Sequence, residues 1–367
     1  MSLWKEMGSL NPSSNPPVEQ ILEKAREQRI SGEEALEIYR HAPFHLLGEI
    51  AHELRKKRTH PHIVTYVVDR NINYSNICIC GCRFCAFYKS PDEEGGYVLS
   101  KEEMNHKIRE TIRLGGTQIL LQGGLHPHLP LEFYEEMLSN IKKEFPSIHI
   151  HAFSPPEIVH FSKKEGLTIK ETILRLKRAG LDSIPGGGAE ILVNSVREKV
   201  SPKKCSADQW IEVMRQAHLL GMKTTATMMF GHVEGYEDRI EHLLRLRNLQ
   251  DETRGFTAFI PWGFQPNNTQ IPVSKITSIE YLRTLAISRI VLDNFANIQV
   301  SWVTMGAEIA QMGLLFGGND FGSTMIEENV VAATGVRFRL SIEEIEDLIR
   351  GAGFRPRQRR MDYTLIE

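Results

Sequence analysis

The sequence has no hydrophobic run that could cross a membrane, because its longest apolar stretches, such as residues 63–68, fall far short of the roughly 20 residues that a bilayer requires. It has no excess of one charge: 44 Lys and Arg balance 46 Asp and Glu, with a formal net charge of -2, which argues against a nucleic-acid partner. Residues 1–16 lack the apolar core of a secretory signal and predict a flexible leader. These absences predict a cytoplasmic protein with no membrane contact.

Cysteine is also scarce, with five residues in a chain of 367. A secreted disulfide scaffold distributes its cysteines along the chain to close loops, whereas Cys78, Cys80, Cys82 and Cys85 fall within eight residues. A chain of this length buries roughly three quarters of its unfolded surface and needs no disulfide to be stable. The clustered thiols therefore indicate metal binding in a reducing compartment.

The remaining sequence has the rhythm of an α/β protein. Helical patterns are predicted at 17–28, 32–40 and 44–57, and the second begins with a capping box of Ser31 and Glu34. From about residue 62, short β-rich runs alternate with amphipathic helices. The runs lie at 63–68, 117–124, 148–153, 181–188, 223–230, 255–262 and 297–302. Continuous apolar strands that end in Gly-rich or polar turns imply a parallel sheet covered by helices.

About seven such units over roughly 260 residues match an α/β fold of the (β/α) TIM-type barrel kind in length and rhythm. A doubly wound open sheet would give the same alternation. No repeat or low-complexity linker interrupts residues 62–340. We therefore predict a flexible leader at 1–16, an N-terminal helical extension at 17–60, one catalytic barrel at 61–340, and a C-terminal helix and tail at 341–367.

The cysteine cluster follows the first predicted strand and has the spacing C-x3-C-x2-C on Cys78, Cys82 and Cys85. Soft thiolates select zinc, Cu(I) or iron–sulfur clusters. Structural zinc requires four protein ligands, and the fifth cysteine, Cys205, stands alone. Three thiolates on a four-iron cluster leave one iron open to a chelating ligand. We expect Cys80 to point away from this group and Cys205 to be an unrelated thiol.

This loop resembles that of the radical S-adenosylmethionine (SAM) superfamily, C-x3-C-x-aromatic-C, with Phe84 at the aromatic position. The resemblance implies a [4Fe–4S] cluster held by Cys78, Cys82 and Cys85, with SAM chelated to the free iron. Reductive cleavage of SAM then gives a 5′-deoxyadenosyl radical that removes hydrogen from a substrate. This chemistry belongs to the cofactors, while the protein positions them and excludes water and oxygen.

Longer motifs narrow the resemblance. Four of them look like the menaquinone and deazaflavin branch of the superfamily: NYSN, CAFY, QGGLHP and PGGGAE, at 73–76, 85–88, 122–127 and 185–190. Three more, at 259–269, 301–304 and 319–331, are similar to the cyclases of the futalosine route to menaquinone.

The activity that this resemblance implies is an oxidative cyclisation of dehypoxanthine futalosine, a small nucleoside-derived substrate. The adenosyl radical takes hydrogen from ribose C4′, the carbon radical adds to the benzoate ring, and loss of an electron and a proton restores aromaticity. A flavodoxin- or ferredoxin-type protein would supply the electrons that cleave SAM.

The resemblance also implies a set of cofactor contacts. The predicted cofactor-binding residues are Phe84, Gln122, Gly123, Gly124, Ser154 and Glu190. Several have a structural alternative. The two glycines could form only a tight strand-to-helix turn, Ser154 could cap the following helix, and Glu190 could be a first-turn helix carboxylate instead of a partner of ribose hydroxyls.

Other polar side chains fall at predicted strand ends or in the loops beyond them. The predicted catalytic residues are Glu190, His232 and Asp320, and the predicted substrate-binding residues are Tyr88, His126, Trp262, Gln265, Asn319 and Asp320. His126, His232, Glu234 and Asp320 are the candidates for accepting the final proton. The alternative for each is a buried, hydrogen-bonded polar group, and for Trp262 it is ordinary barrel packing.

Two other functions stay open at this level. Within the same branch, the chain could be an aminofutalosine synthase or a deazaflavin synthase subunit. In a different class, it could be a non-enzymatic iron–sulfur or zinc module, which would require a fourth cysteine ligand.

Overall fold

The computed structural model of the chain describes residues 16–336 and 338–366. Most of the predicted leader, residues 1–15, therefore lies outside the described residues. The helices are α1 (Val18–Glu27), α2 (Gly32–His41), α3 (Phe44–Arg58), α4 (Lys101–Arg113), α5 (Leu131–Glu144), α6 (Pro155–Glu165), α7 (Ile169–Ala179), α8 (Asn194–Val200), α9 (Ala207–Leu219), α10 (Tyr236–Thr253), α11 (Ser278–Val291), α12 (Trp302–Met305), α13 (Ala307–Gly313) and α14 (Ile342–Gly351). The strands are β1 (Ile63–Val67), β2 (Asp69–Asn73), β3 (Gln118–Gln122), β4 (His149–Ala152), β5 (Ser183–Ile184), β6 (Lys223–Phe230), β7 (Phe256–Gly263), β8 (Asn297–Ile298), β9 (Asp320–Ser323) and β10 (Arg355–Gln358).

The three N-terminal helices form where the sequence pattern predicts them. The Ser31 hydroxyl accepts the amide proton of Glu34, and the Glu34 carboxylate accepts the Ser31 amide, so the predicted capping box is confirmed. Helix α2 packs on α10 and α3 packs on α11. Helix α2 also contacts α11, where the Tyr39 hydroxyl and the Thr284 hydroxyl lie 2.6 Å apart in a fully buried position. The N-terminal helices therefore pack against the outer helices of the barrel.

The strand layer is a curled parallel sheet in the order β2-β3-β4-β5-β6-β7-β8. A second parallel sheet, β10-β1-β9, stands beside it, and Gln299 pairs with Asp320 in a parallel bridge between the two sheets. Val68 alone separates β1 from β2, so these two strands form one path from the small sheet into the large one. The predicted TIM-type barrel architecture is confirmed.

Three strands were not predicted from the hydrophobic pattern: β2, β9 and β10. Their sequences are DRNIN, DFGS and RPRQ, and all three are rich in polar residues. In β2, Asp69 and Asn71 face the barrel interior, where they line a cavity. Interior positions that carry polar groups break the apolar run from which buried strands are recognised. The cysteine loop consequently follows β2 rather than the first strand.

A buried ion pair joins β9 to the end of β10. Asp320 is fully buried, and its carboxylate accepts two hydrogen bonds from the Arg359 guanidinium, one with an Nη2–Oδ1 distance of 3.0 Å. The Thr65 hydroxyl donates to the same carboxylate at 2.5 Å. The C-terminal segment is thereby fixed to the barrel.

Replacing Arg359 by methionine is expected to lower the free energy of unfolding by roughly 3–5 kcal/mol, because Asp320 would keep a buried charge without its partner. Urea denaturation of the full chain measures this change. Arg357→Gln, on the exposed side of the same strand, serves as the matched control and should change stability by less than about 0.5 kcal/mol. Equal effects of the two variants would contradict the role given to the pair.

Candidate active site

The cysteine loop is held at the C-terminal end of β2 by main-chain hydrogen bonds on two sides. The Cys78 amide donates to the Lys89 carbonyl at 2.9 Å, and the Ile79 amide donates to the Leu125 carbonyl at 3.1 Å. On the other side, the Arg83 amide donates to the Val200 carbonyl at 2.9 Å. The loop is thus fixed against the ends of β3 and α8, at the face where barrel active sites gather.

Two thiols of the loop have lowered pKa values. The Cys78 sulfur accepts the amide protons of Leu125 at 3.2 Å and of Cys80 at 3.4 Å. A hydrogen bond from the Cys80 thiol, together with these amides, lowers the pKa of Cys78 to about 6. The Cys80 thiol and the Lys204 ammonium likewise lower the pKa of Cys82. Burial raises the pKa of Cys85, against the effect of two backbone amides.

Cys80 does not point away from the other thiols, as the sequence analysis expected. It is 2% exposed and lies in a cluster with Cys82 and Leu125. Its thiol hydrogen-bonds to Cys78 and to Cys82, and these two bonds, together with burial, raise the pKa of Cys80. The correction follows from the local backbone: Gly81 adopts a left-handed conformation with φ of 57°, and the chain folds back there.

The donor set fits a [4Fe–4S] cluster. All five cysteines lie in the described part of the chain and are free, and Cys78, Cys82 and Cys85 are close enough for their charges to interact. Within residues 16–336 and 338–366, no three His, Cys, Asp or Glu side chains are grouped as ligands of one metal ion. A cluster does not require such grouping, since each thiolate binds a different iron.

A half-buried lysine that was not predicted from the sequence lies beside these thiols. Lys204 donates to Glu190 Oε1 at 2.8 Å, and its ammonium lies 4.9 Å from the centre of the Phe84 ring. Burial lowers the pKa of Lys204, but the charges of Cys82 and Glu190 outweigh burial and raise it. The segment SPKKC gave no sequence signal for this role, because paired lysines after a helix are typical of a solvated surface.

Glu190 is ionised and paired. Burial raises the pKa of its carboxyl, but Lys204 and Arg197 outweigh burial and lower it. The Arg197 guanidinium lies 3.4 Å from Oε2 and also donates to the Ala189 carbonyl at 2.6 Å. Glu190 therefore presents a fixed negative charge at the edge of the cavity described next, a geometry suited to accepting hydrogen bonds from hydroxyl groups.

A cavity of about 1360 Å³, including the part open to solvent, runs from this edge into the barrel. Of the predicted site residues, it includes Gln122, Glu190 and Trp262, and of the longer motifs it includes the glycines 186–188, residues 301–304 and part of 319–331. Its deeper walls carry residues that the sequence analysis did not name as site residues. The principal ones are Asp69, Asn71, Gln118, His151, Thr225, Ser323, Glu328, Arg359 and Tyr363.

Several buried polar atoms on these walls have no protein partner. Asn71 Oδ1, Gln118 Oε1 and Tyr363 Oη make no hydrogen bond within the described residues, and all three residues line the cavity. Buried polar atoms are nearly always satisfied, so three unsatisfied ones on one cavity indicate a ligand with several polar groups. For the strand residues, the available sequence signal was even spacing, since Asp69 and Asn71 on β2 share one face, as do Gln118 and Gln122 on β3.

Gly123 and Gly124 bring the end of β3 against the cysteine loop. A Cβ atom on Gly124 would lie 2.1 Å from the Ile77 carbonyl oxygen, and one on Gly123 would lie 2.3 Å from the Tyr74 ring. Ser154 is the N-cap of α6, with its hydroxyl bonded to Glu157 at 2.6 Å. These residues thus have the structural roles that the sequence left open, next to the site.

His126, His232 and Gln265 do not line the cavity. The Nδ1 atom of His126 accepts the amides of residues 128 and 129. His232 accepts the Val233 amide at Nδ1, and its Nε2 lies 3.1 Å from the Met229 carbonyl. Gln265 donates to the carbonyls of residues 263 and 304. Each is therefore a hydrogen-bonded buried polar group, the alternative that the sequence left open for the two histidines.

Asn319 and Asp320 also lie outside the cavity wall. The Asn319 amide oxygen accepts from Arg289 at 2.7 Å and from the Ile298 amide at 2.9 Å, and Asp320 is consumed by its pair with Arg359. Tyr88 lies on the cysteine loop and is not part of the cavity wall either. Of the predicted catalytic residues, Glu190 alone lines the cavity.

Comparison with known proteins agrees with this geometry. The profile of the radical SAM superfamily matches residues 72–246, and the profile of the CofH/MqnC C-terminal region matches residues 253–367. The cyclic dehypoxanthine futalosine synthase of Halalkalibacterium halodurans is 46% identical over 95% of both chains. The chain belongs to the radical SAM superfamily. It is a radical SAM enzyme, as the sequence analysis predicted.

The relatives of this radical SAM enzyme have two different names. The cyclic dehypoxanthine futalosine synthase of Streptomyces coelicolor is 46% identical over 91% of this chain and 85% of its own length. A 5-amino-6-(D-ribitylamino)uracil–L-tyrosine 4-hydroxyphenyl transferase of Methanococcoides burtonii is 41% identical over 95% of this chain and 99% of its own. The superfamily uses a [4Fe–4S] cluster and SAM.

Solved structures agree with the fold of this radical SAM enzyme. The FeFe-hydrogenase maturase HydG from Carboxydothermus hydrogenoformans superposes with a TM-score of 0.74 at 18% identity, covering 94% of this chain and 80% of the maturase. Methylornithine synthase superposes with a TM-score of 0.71 at 16% identity, covering 92% and 97%. Among the described residues, no helix has the length and hydrophobicity needed to cross a membrane.

Proposed function

We propose that this enzyme cyclises dehypoxanthine futalosine in menaquinone biosynthesis. Support comes from the 46% identity to two proteins named cyclic dehypoxanthine futalosine synthase. The observation that carries the proposal is the single cavity that connects Glu190 and the glycines at 186–188 to a deep wall with unsatisfied polar atoms. Such a cavity suits a cofactor at its mouth and a hydroxyl-rich nucleoside further in.

Cys78, Cys82 and Cys85 would hold the cluster, and Lys204 and Glu190 would present opposite charges to SAM beside them. When bound, the cluster and SAM supply a radical that removes hydrogen from the substrate ribose, and an iron–sulfur centre that can accept one electron. The chain's own groups orient the substrate. Asn71 Oδ1 and Gln118 Oε1 are free to accept from hydroxyl or amide donors, and Trp262 offers an aromatic face on the cavity wall.

Asp69 adds a buried carboxyl to the same wall. Its two oxygens accept from the Ser323 hydroxyl and from the Gln118 amide, the latter at 2.6 Å. Burial raises the pKa of Asp69, and both oxygens are already engaged. Asp69 therefore fixes the orientation of Gln118, whose amide oxygen then faces the substrate. A flavodoxin- or ferredoxin-type protein would deliver the electron at the cysteine loop.

Offering candidate substrates separately to the anaerobically reconstituted enzyme tests this proposal. We expect SAM cleavage to depend on dehypoxanthine futalosine and to give a cyclic product with two fewer hydrogen atoms, measured by mass. An enolpyruvyl benzoate that reacts instead would identify an aminofutalosine synthase. Reaction with L-tyrosine and aminoribitylaminouracil would identify the transferase activity for which several relatives at 39–44% identity are named.

A further inference from the structure

A chain of three hydrogen-bonded side chains leads from the cavity to the opposite end of the barrel. The Ser183 hydroxyl lies 2.7 Å from Nδ1 of His151 and 2.7 Å from Nε2 of His149. His151 lines the cavity and is 5% exposed, and Ser183 is 1% exposed. His149 is the first residue of β4, so it lies at the N-terminal end of the strands, away from the cysteine loop.

The network assigns the protons along this chain. The Gly186 amide donates to the Thr225 hydroxyl oxygen at 3.0 Å, which leaves the hydroxyl proton free to face His151 Nε2, 3.4 Å away. With Nε2 an acceptor, the neutral His151 ring carries its proton on Nδ1 and donates to Ser183. Ser183 then donates to Nε2 of His149. Every link can accept a proton on one side and release another on the other side.

The surroundings of His149 favour the release of a proton at the far end. Burial lowers the pKa of His149 and Lys142 adds to this effect, and together they outweigh Asp182 and Asp362, which raise it. Asp362 is exposed, so the series of hydrogen-bonded side chains ends close to solvent at His149. At the cavity end, burial, His149 and Arg359 hold the pKa of His151 well below its usual range, and the ring is neutral and able to accept.

The carboxyl groups on the cavity wall are already engaged. Asp69 accepts from Ser323 and Gln118, and Glu190 is paired with Lys204. Glu328 accepts three backbone amides, from residues 330, 331 and 332. His151 differs from these groups in two ways. The lone pair on its Nε2 has only the long contact with the Thr225 hydroxyl, at 3.4 Å. Its Nδ1 is connected through Ser183 to His149.

We propose that His151 accepts the proton lost from the substrate ring and that Ser183 and His149 carry a proton out of the barrel. The inference rests on the proposed cyclase function and identifies its proton acceptor. One ring C–H bond breaks: the proton goes to Nε2 of His151, and one electron leaves to an acceptor of the iron–sulfur class, which restores aromaticity. The Nδ1 proton of His151 passes to Ser183, the Ser183 proton passes to His149, and His149 releases its Nδ1 proton to water near Asp362.

The ratio of cyclic product to 5′-deoxyadenosine tests this route, because a partly misfolded variant loses both products together. Wild-type enzyme with SAM and dehypoxanthine futalosine should give a ratio close to one. Ser183→Ala and His149→Gln should lower the ratio by about 10-fold or more, and His151→Gln by about 100-fold, in the range of general-base catalysis. Ser183→Thr, which keeps a hydroxyl, should restore most of the ratio.

Two matched variants control for the loss of a buried group. Ser288→Ala removes a buried hydroxyl on α11, and His218→Gln removes a half-buried histidine held between two threonine hydroxyls. Both should leave the ratio unchanged. A wild-type ratio in Ser183→Ala and His149→Gln would overturn the relay even if the cyclase activity is confirmed.

A substrate-independent measurement separates the relay from the proposed function. Long-range ¹H–¹⁵N spectra of the histidine-labelled full chain should show His151 neutral with its proton on Nδ1, and Ser183→Ala should shift the resonances of both His149 and His151. A proton on His151 Nε2, or a shift of only one ring, would overturn the relay. If wild-type enzyme fails to cleave SAM with dehypoxanthine futalosine, the proposed function falls and these spectra alone decide the relay.

Discussion

Replacing Cys82 by alanine is expected to abolish iron–sulfur binding and reductive cleavage of SAM, and Cys78→Ala and Cys85→Ala are expected to do the same. A four-iron cluster with three protein thiolates has no spare ligand, so loss of any one exposes a second iron. Anaerobic reconstitution followed by iron and sulfide analysis measures binding, with about four irons per wild-type chain expected. 5′-Deoxyadenosine formation measures cleavage.

A variant at Cys80 distinguishes an open cluster site from a closed one, because the Cys80 thiol contacts two of the three predicted ligands. If it is a hydrogen-bond donor to the ligand sulfurs, Cys80→Ala keeps four irons. If it is a fourth ligand, the site is closed, and Cys80→Ala loses iron. Cys205 is the matched control, since it is buried against Arg197, whose guanidinium lies 3.8 Å from its sulfur. The enzyme function predicts that Cys80→Ala combined with Cys205→Ala retains both the cluster and SAM cleavage.

The sequence predicted the barrel and the cysteine loop because both depend on local patterns. Strands such as β1, with the sequence IVTYV, are largely apolar runs, and the three thiols lie within eight residues of chain. The α/β alternation and the N-terminal helices followed from the same short-range periodicity. These features needed no knowledge of how distant segments meet.

The deeper site depends on contacts between distant segments, which local patterns in the sequence do not report. Asp320 is the first residue of β9, and its carboxylate is paired with Arg359, 39 residues away. His151 and Ser183 become neighbours only because β4 and β5 pair in register. No spacing in one sequence reports which strand end meets which C-terminal residue, so the sequence could nominate strand-end residues but not decide which of them remain free.

The two glycines after β3 show how a local motif and a distant contact combine. The sequence left open whether Gly123 and Gly124 form a turn or admit a cofactor, and the structure shows that the cysteine loop itself approaches them. A Cβ on Gly124 would meet the Ile77 carbonyl oxygen at 2.1 Å and the Cys78 Cβ at 2.7 Å. Both obstacles belong to the loop that carries the thiols, so the loop has to move to admit a methyl group.

Gly124→Ala is therefore expected to lower the free energy of unfolding of the apoprotein by about 3 kcal/mol, the upper range for overpacking, and to reduce cluster uptake to a small fraction of wild type. Urea denaturation and iron analysis of the same preparation measure the two effects. Gly235→Ala is the matched control, because its φ is −101° and a Cβ there meets only flexible side-chain ends, the nearest at 3.3 Å. Normal iron content in Gly124→Ala would show that the loop can shift without losing its ligand geometry, and the close approach would then have no bearing on the cluster.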